Sequence, residues 1–169
     1  GRATSGWTYD WRLGAWSDPS EYPYALYPLK GAGYPRTVCF HEQRLVWGGT
    51  VTNPQTFWMS VSGDFENMLP SELDSTVLDD SAIAYTLASA KANAIRWMIS
   101  GPSLTIGTSG GEWQVRASTS INEAITPTNI KAVDYTSHGV ASMLPARIGP
   151  VIAFVDRSGE RVRELAYSA

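Results

Sequence analysis

The chain has 169 residues, 43% hydrophobic and 17% charged, enough for one well-buried domain and too apolar for a disordered polymer. Its formal net charge of −3 argues against a domain that grips nucleic acid, which normally needs a basic stripe, although such a surface can lie beside DNA without holding it. The single cysteine, Cys39, excludes an internal disulfide or a thiolate zinc cluster, and no apolar run reaches the length of a membrane span.

The 7 Trp, 8 Tyr, 15 Gly and 10 Pro favour short strands and tight turns over long helices. Residues 1–36 place Trp7, Tyr9, Trp11, Trp16, Tyr22, Tyr24, Tyr27 and Tyr34 among Pro19, Pro23, Pro28 and Pro35. Proline at that density interrupts a sheet ladder, so an extended arm or loop is expected, its aromatics packed onto the rest of the chain. A partner-binding arm is the functional alternative, because exposed aromatics are enriched at interfaces. The chain starts Gly-Arg-Ala-Thr without methionine and ends just after a strand-like run, so it reads as an internal piece of a longer polypeptide.

Residues 37–169 read as repeated antiparallel meanders, in units of about 37–81, 82–129 and 130–169. In the first, Thr37–Glu42 and Arg44–Gly48 make a hairpin and Thr56–Ser62 a further strand, followed by an irregular insertion, Gly63–Ser81. The second holds Ala82–Ser89, Ala94–Ser100, Leu104–Thr108 and Glu112–Ala117, with turns at Gly101–Ser103 and Ser109–Gly111. The third holds Ile130–Ser137, Leu144–Ile148, Val151–Asp156 and Arg161–Tyr167. Ile83 maps to Ile130, Leu104 to Val151 and Val115 to Val162 at an offset of 47, and Leu45 maps to Leu104 at 59. Sheets of three or four strands recurring every 47–59 residues are the pattern of propeller blades, here about three of them. The only helical candidate, Ser89–Arg96, is about two turns long.

No segment assembles a nucleophile, its base and an oxyanion hole, so no catalytic residue is assigned and no enzyme is expected. His41-Glu42 lacks the second histidine of a zinc helix and reads as a rim pair at a turn; His138 lies in a separate turn, Ser137-His138-Gly139. Ser109, in Gly107–Gly111, sits where glycines are demanded by a tight turn. No lysine follows those glycines to make a phosphate loop. Glu72, Asp74, Asp79 and Asp80 match no calcium loop, and Leu73, Val77 and Leu78 interleave them. Hence neither a metal nor another cofactor is expected. Trp47, Trp58, Trp97 and Trp113 fall inside strands, where core packing is the default and sugar stacking the alternative. Glycan hydrolysis needs a carboxylate pair, for which Glu112 and Glu164 are nominated only arbitrarily.

Several runs resemble phage and prophage tail components: WRLGAWSD (Trp11–Asp18), GYPRTVCFHEQRLVWGGT (Gly33–Thr50) and SGDFENM (Ser62–Met68). NAIRWMISGPSLTIGTSGGEW (Asn93–Trp113), ITPTN (Ile125–Asn129) and FVDRSGERVREL (Phe154–Leu165) complete the set in order; Tyr22–Lys30 does not match. The group resembled is the tail nozzle, or tail tubular B-like, proteins of short-tailed phages. The resemblance implies propeller-like β domains and a ring homo-oligomer, typically hexameric, below the portal and adaptor proteins. It further implies a conduit for passing double-stranded DNA without sequence-specific binding, docking surfaces for tail fibre proteins, and a place in the virion. The implied roles for Gly48, Gly49, Gly110 and Gly111 are turns and for the tryptophans core packing; no catalytic, cofactor or metal residues carry over. The alternative is a carbohydrate-binding propeller used for surface adsorption.

Overall fold

The structure, a computed structural model, describes residues 8–10, 15–17, 33–70, 76–89, 93–120 and 122–166. Among these residues every regular element is a strand, and all pairings are antiparallel. A two-stranded hairpin, β1 (Thr8–Asp10) with β2 (Ala15–Ser17), lies within the stretch expected to be an extended arm. It precedes Pro19, so both strands keep their backbone donors. The rest of the proline-rich stretch up to residue 32 lies outside the described residues.

Three meander sheets follow, each pairing strands consecutive in the chain. Sheet 1 is β3 (Thr37–His41), β4 (Arg44–Gly48), β5 (Thr56–Met59) and β6 (Ile83–Thr86). Sheet 2 is β7 (Ile95–Ile99), β8 (Leu104–Thr108), β9 (Glu112–Ala117) and β10 (Ile130–Thr136). Sheet 3 is β11 (Ala146–Ile148), β12 (Val151–Val155) and β13 (Val162–Ala166). The helical candidate ends inside β7, so its last two residues, Ile95 and Arg96, are in a strand.

The sheets group the strands one position later than the sequence units do. β6 closes sheet 1, although the sequence places it at the head of the second unit; β10 likewise closes sheet 2. The cause is Arg44. Its buried guanidinium donates to the carbonyls of Ser60, Asp79, Asp80 and Ser81, at both ends of the insertion that separates β5 from β6. Four such bonds satisfy the buried charge and close the insertion into a loop, which returns β6 to β5.

Alternation distributes the side chains. Val46, Phe57, Met59 and Ile83 of sheet 1 meet Ile95, Met98, Leu104, Ile106, Trp113 and Val115 of sheet 2 in the main core. The opposite face of sheet 2 sends Trp97 against Val140, Ile152, Phe154 and Leu165 of sheet 3 and its lead-in. Sheet 2 is thus the filling between the other two. The repeat offset of 47 joins corresponding strands but opposite faces: Leu104 and Val115 point at sheet 1, whereas Val162 is exposed on the far side of sheet 3. With a side-chain period of two, Leu104 corresponds to Ile152 by orientation, and the odd offset is one residue out of phase. The offset of 59 keeps its phase, since Leu45 and Leu104 both face away from the sheet that follows.

Candidate functional site

The residues singled out for chemistry are scattered over the three sheets and held by structural partners. His41 is buried rather than on a rim: it ends β3, and its Nδ1 bonds Ser100 Oγ at 2.9 Å across the seam with sheet 2. Burial pushes its pKa down against the pull of Glu42, whose Oε1 lies 3.6 Å from His41 Nε2. Glu42 Oε2 accepts the Ile125 N–H at 2.7 Å, tying the β3–β4 turn to the loop before β10. That turn is Glu42-Gln43 with both residues at positive φ (46° and 59°), the handedness a two-residue hairpin needs. His138 is exposed in its own turn, and among the described residues no group of three His, Cys, Asp or Glu could hold a metal.

Ser109 Oγ accepts the Ala94 N–H at 3.1 Å, which makes it a strand-end clasp. The neighbouring glycines are required by close approach rather than by φ. A Cβ on Gly110 would lie 2.0 Å from Asn93 Oδ1, and one on Gly111 2.5 Å from the Thr136 carbonyl. Glu72 and Asp74 fall outside the described residues; Asp79 and Asp80 are exposed, with their carbonyls turned onto Arg44. Trp47, Trp58, Trp97 and Trp113 are all buried, as the default reading expects. Trp47 and Trp58 pair across β4 and β5 with centroids 5.9 Å apart beneath Met68. Burial pushes the half-buried Cys39 thiol up to about 12, so it carries little thiolate.

The nominated carboxylates Glu112 and Glu164 do not form a pair. Glu112 is fully buried in sheet 2, whereas Glu164 is exposed and pairs with Ala153 on the outer face of sheet 3. Glu112 belongs to a cross-strand row, Trp97–Gly107–Glu112–Thr136, on the face of sheet 2 turned toward sheet 3. The Trp97 indole lies flat over Gly107, where a Cβ would fall 2.3 Å from its ring. The Thr136 hydroxyl donates to Glu112 Oε2, while Glu112 Oε1 and Trp97 Nε1 are buried without a hydrogen-bond partner. Desolvation raises the Glu112 pKa, opposed by the Thr136 bond and by His138.

Beside this row, Thr136, His138, Phe154 and Val162–Leu165 line a cleft of about 240 Å³ between sheets 2 and 3. Arg163 Nε approaches Asp156 Oδ2 at 3.5 Å nearby, and Asp156 Oδ1 accepts from the Ser158 N–H and hydroxyl to shape the β12–β13 turn. Sequence reading missed Arg44 and the setting of Glu112, because burial of a charge is a tertiary property with no local signature.

Exposed apolar groups occur on both outer faces of the stack, besides Tyr34, Val51 and Leu144, which are more exposed and lie outside the strands. On the outer face of sheet 1, Val38 and Phe40 are each 61% exposed, and Phe65 leans edge-on against Phe40 at 5.1 Å. On the outer face of sheet 3, Ile148 (66%) and Val162 (72%) flank Val151, Ala153 and Val155. No family model matches the chain, and no curated protein matches it as a relative.

Proposed function

We propose that the chain is a structural module of a phage tail of the nozzle type, its three sheets being consecutive blades of a propeller-like domain. The supporting observation is that apolar side chains fill both seams, Trp113 in the first and Trp97 in the second, while apolar groups stay exposed on the outer faces of sheets 1 and 3. A module embedded between neighbours in a larger assembly has that distribution. The ordered run of tail-like motifs from Trp11 to Leu165 gives the reading its class. In this reading the module belongs to a longer subunit of a ring homo-oligomer, hexameric by resemblance, seated below portal and adaptor proteins and offering docking surfaces to fibres. A chain with a net charge of −3 would line such a conduit without holding the DNA that passes.

The carbohydrate-binding alternative would have to stack sugars on exposed tyrosines such as Tyr34 and Tyr135, since Trp47, Trp58, Trp97 and Trp113 are enclosed. The test is negative-stain imaging of the parent subunit, alone and mixed with portal–adaptor complexes. Rings that join the portal complex are expected; a parent that stays monomeric and never joins it overturns the proposal.

A further inference from the structure

Sheets 1 and 2 each carry a fourth strand on their third: β6 pairs with β5 and β10 with β9. Those fourth strands bring Ile83 and Tyr85, and Ile130 and Ala132, to the first core. Sheet 3 stops at its third strand. Among the described residues β13 pairs with β12 alone, and β1 and β2 pair only with each other. Beside β13 runs the cleft of about 240 Å³, lined by the four consecutive residues Val162–Leu165, by Phe154, and by Thr136 and His138 of sheet 2 and its following turn.

The register fixes which backbone groups of β13 face away from its sheet. The Asp156 N–H donates to the Arg161 carbonyl, so Arg161, Arg163 and Leu165 turn their backbone groups onto β12. Val162, Glu164 and Ala166 turn theirs outward. The Tyr135 hydroxyl agrees with this phase, donating across the seam to the Ala166 carbonyl at 3.3 Å. Among the described residues, nothing pairs with the other outward groups, the N–H and carbonyl of Val162 and Glu164 and the N–H of Ala166. Neither a proline nor a bulge blunts this edge, and Val162 on it is 72% exposed.

We infer that the β13 edge docks an extended segment of a separate polypeptide, which adds to sheet 3 as an antiparallel fourth strand with a basic residue opposite Glu164. Each described strand of this chain already has a partner within its own sheet, so the segment comes from outside it. Main-chain hydrogen bonds to Val162 and Glu164 supply the grip, and side chains at alternate positions supply the choice. Val162, Glu164 and Ala166 share the outer face, while Arg163 and Leu165 lie on the face toward sheet 2. Glu164 is the one charge in that outer row, which favours a lysine or arginine directly across from it. Arg163 is held by Asp156 at 3.5 Å, so the residues entering the cleft meet Leu165 and Phe154 and are aliphatic. This step does not depend on the tail reading.

Residue-resolved hydrogen exchange of the 169-residue chain tests it, with the end-capped peptide Val-Thr-Val-Lys-Val-Thr-Val titrated to about 1 mM. In the free chain the amides of Val162, Glu164 and Ala166 should exchange fast and those of Arg163 and Leu165 slowly; the peptide should slow the first set about fivefold. Methylating the lysine backbone nitrogen, which would face β13, should abolish the effect. Methylating that of the next valine, which would face away, should leave it. Glutamate in place of the lysine should weaken binding roughly threefold, and Glu164→Lys should reverse that preference. No slowing at about 1 mM peptide overturns the inference, and so does equal loss with both methylated peptides. Edge amides already slow in the chain alone overturn it too, since another segment of the chain would then cover them. The same holds for slowing that grows with chain concentration, which would put a second copy at the edge. A preference for lysine that survives Glu164→Lys overturns the basic partner.

Discussion

Between sheets 1 and 2, twelve buried apolar residues meet, with polar clasps from Thr37 to Met98, from His41 to Ser100 and from Glu42 to Ile125. Between sheets 2 and 3 the buried cluster has five apolar members and shares its seam with Glu112, Thr136 and a cleft open to His138. The first seam rests mainly on area removed from water, with the buried His41 at its edge; the second rests on fewer contacts and on one row whose polar atoms must be satisfied. Sheet 3 is therefore the part of the molecule expected to loosen first.

The sharpest way to separate the seams is to truncate one phenylalanine in each. Phe57→Ala in the first should cost about 4 kcal/mol and lower the stability of the whole chain, read by urea unfolding. Phe154→Ala in the second should cost less, about 3 kcal/mol, and should strip hydrogen-exchange protection from β11–β13 while β3–β10 keep theirs. If both variants lose protection uniformly, the seams are one cooperative unit and the contrast fails. Next comes Gly107→Ala, whose Cβ would press into the buried Trp97 ring; about 3 kcal/mol is expected, with a change in Trp97 packing visible in near-ultraviolet dichroism.

The smallest effect is the pH dependence that the second seam draws from Glu112. Glu112 has a folded-state pKa raised above 4.5 by burial, so the folded chain holds a proton that the unfolded chain releases. Stability from this group is complete below the unfolded value and is lost as pH rises through the folded one. Glu112→Gln keeps the shape and removes that slope. Urea midpoints of the two proteins compared between pH 4 and pH 8 should converge at the acid end and separate in favour of glutamine at the other. Parallel profiles would place the ionised carboxylate, satisfied, in the folded chain.

How much of this was readable beforehand depended on how local the signal was. Val151–Asp156 reads as a strand because its residues are nearly all apolar, and β12 occupies Val151–Val155. The Asp156–Gly159 turn is likewise a local matter of one aspartate, one serine and one glycine. Strand grouping was not local: whether Ile83–Thr86 joins the strand before or after it rests on Arg44 reaching carbonyls up to 37 positions away. The odd offset of 47 matched apolar letters across strands and so concealed a change of face, which periodicity cannot reveal without the pairing register. Of the candidate site, the enclosure of the tryptophans could be expected from their place in strands. The isolation of Glu112 could not, because Gly107 and Trp97 are what cover it, and nothing in the spacing of those residues says so.

The meander topology has a consequence for how the chain comes to be folded. Within a sheet every pairing joins neighbours in sequence, so apart from the insertion between β5 and β6 the loops to be closed are short and each sheet can form by itself. The clasps between sheets are of another order: His41 reaches Ser100 over 59 residues, and Glu42 reaches Ile125 over 83. Emerging from a ribosome in order, sheet 1 can pair before β8 and β9 exist, leaving Phe57 and Met59 bare until they arrive. The aggregation hazard of this chain thus lies in an interval of its synthesis, and slowing translation just after Thr86 should lengthen it, read as insoluble product.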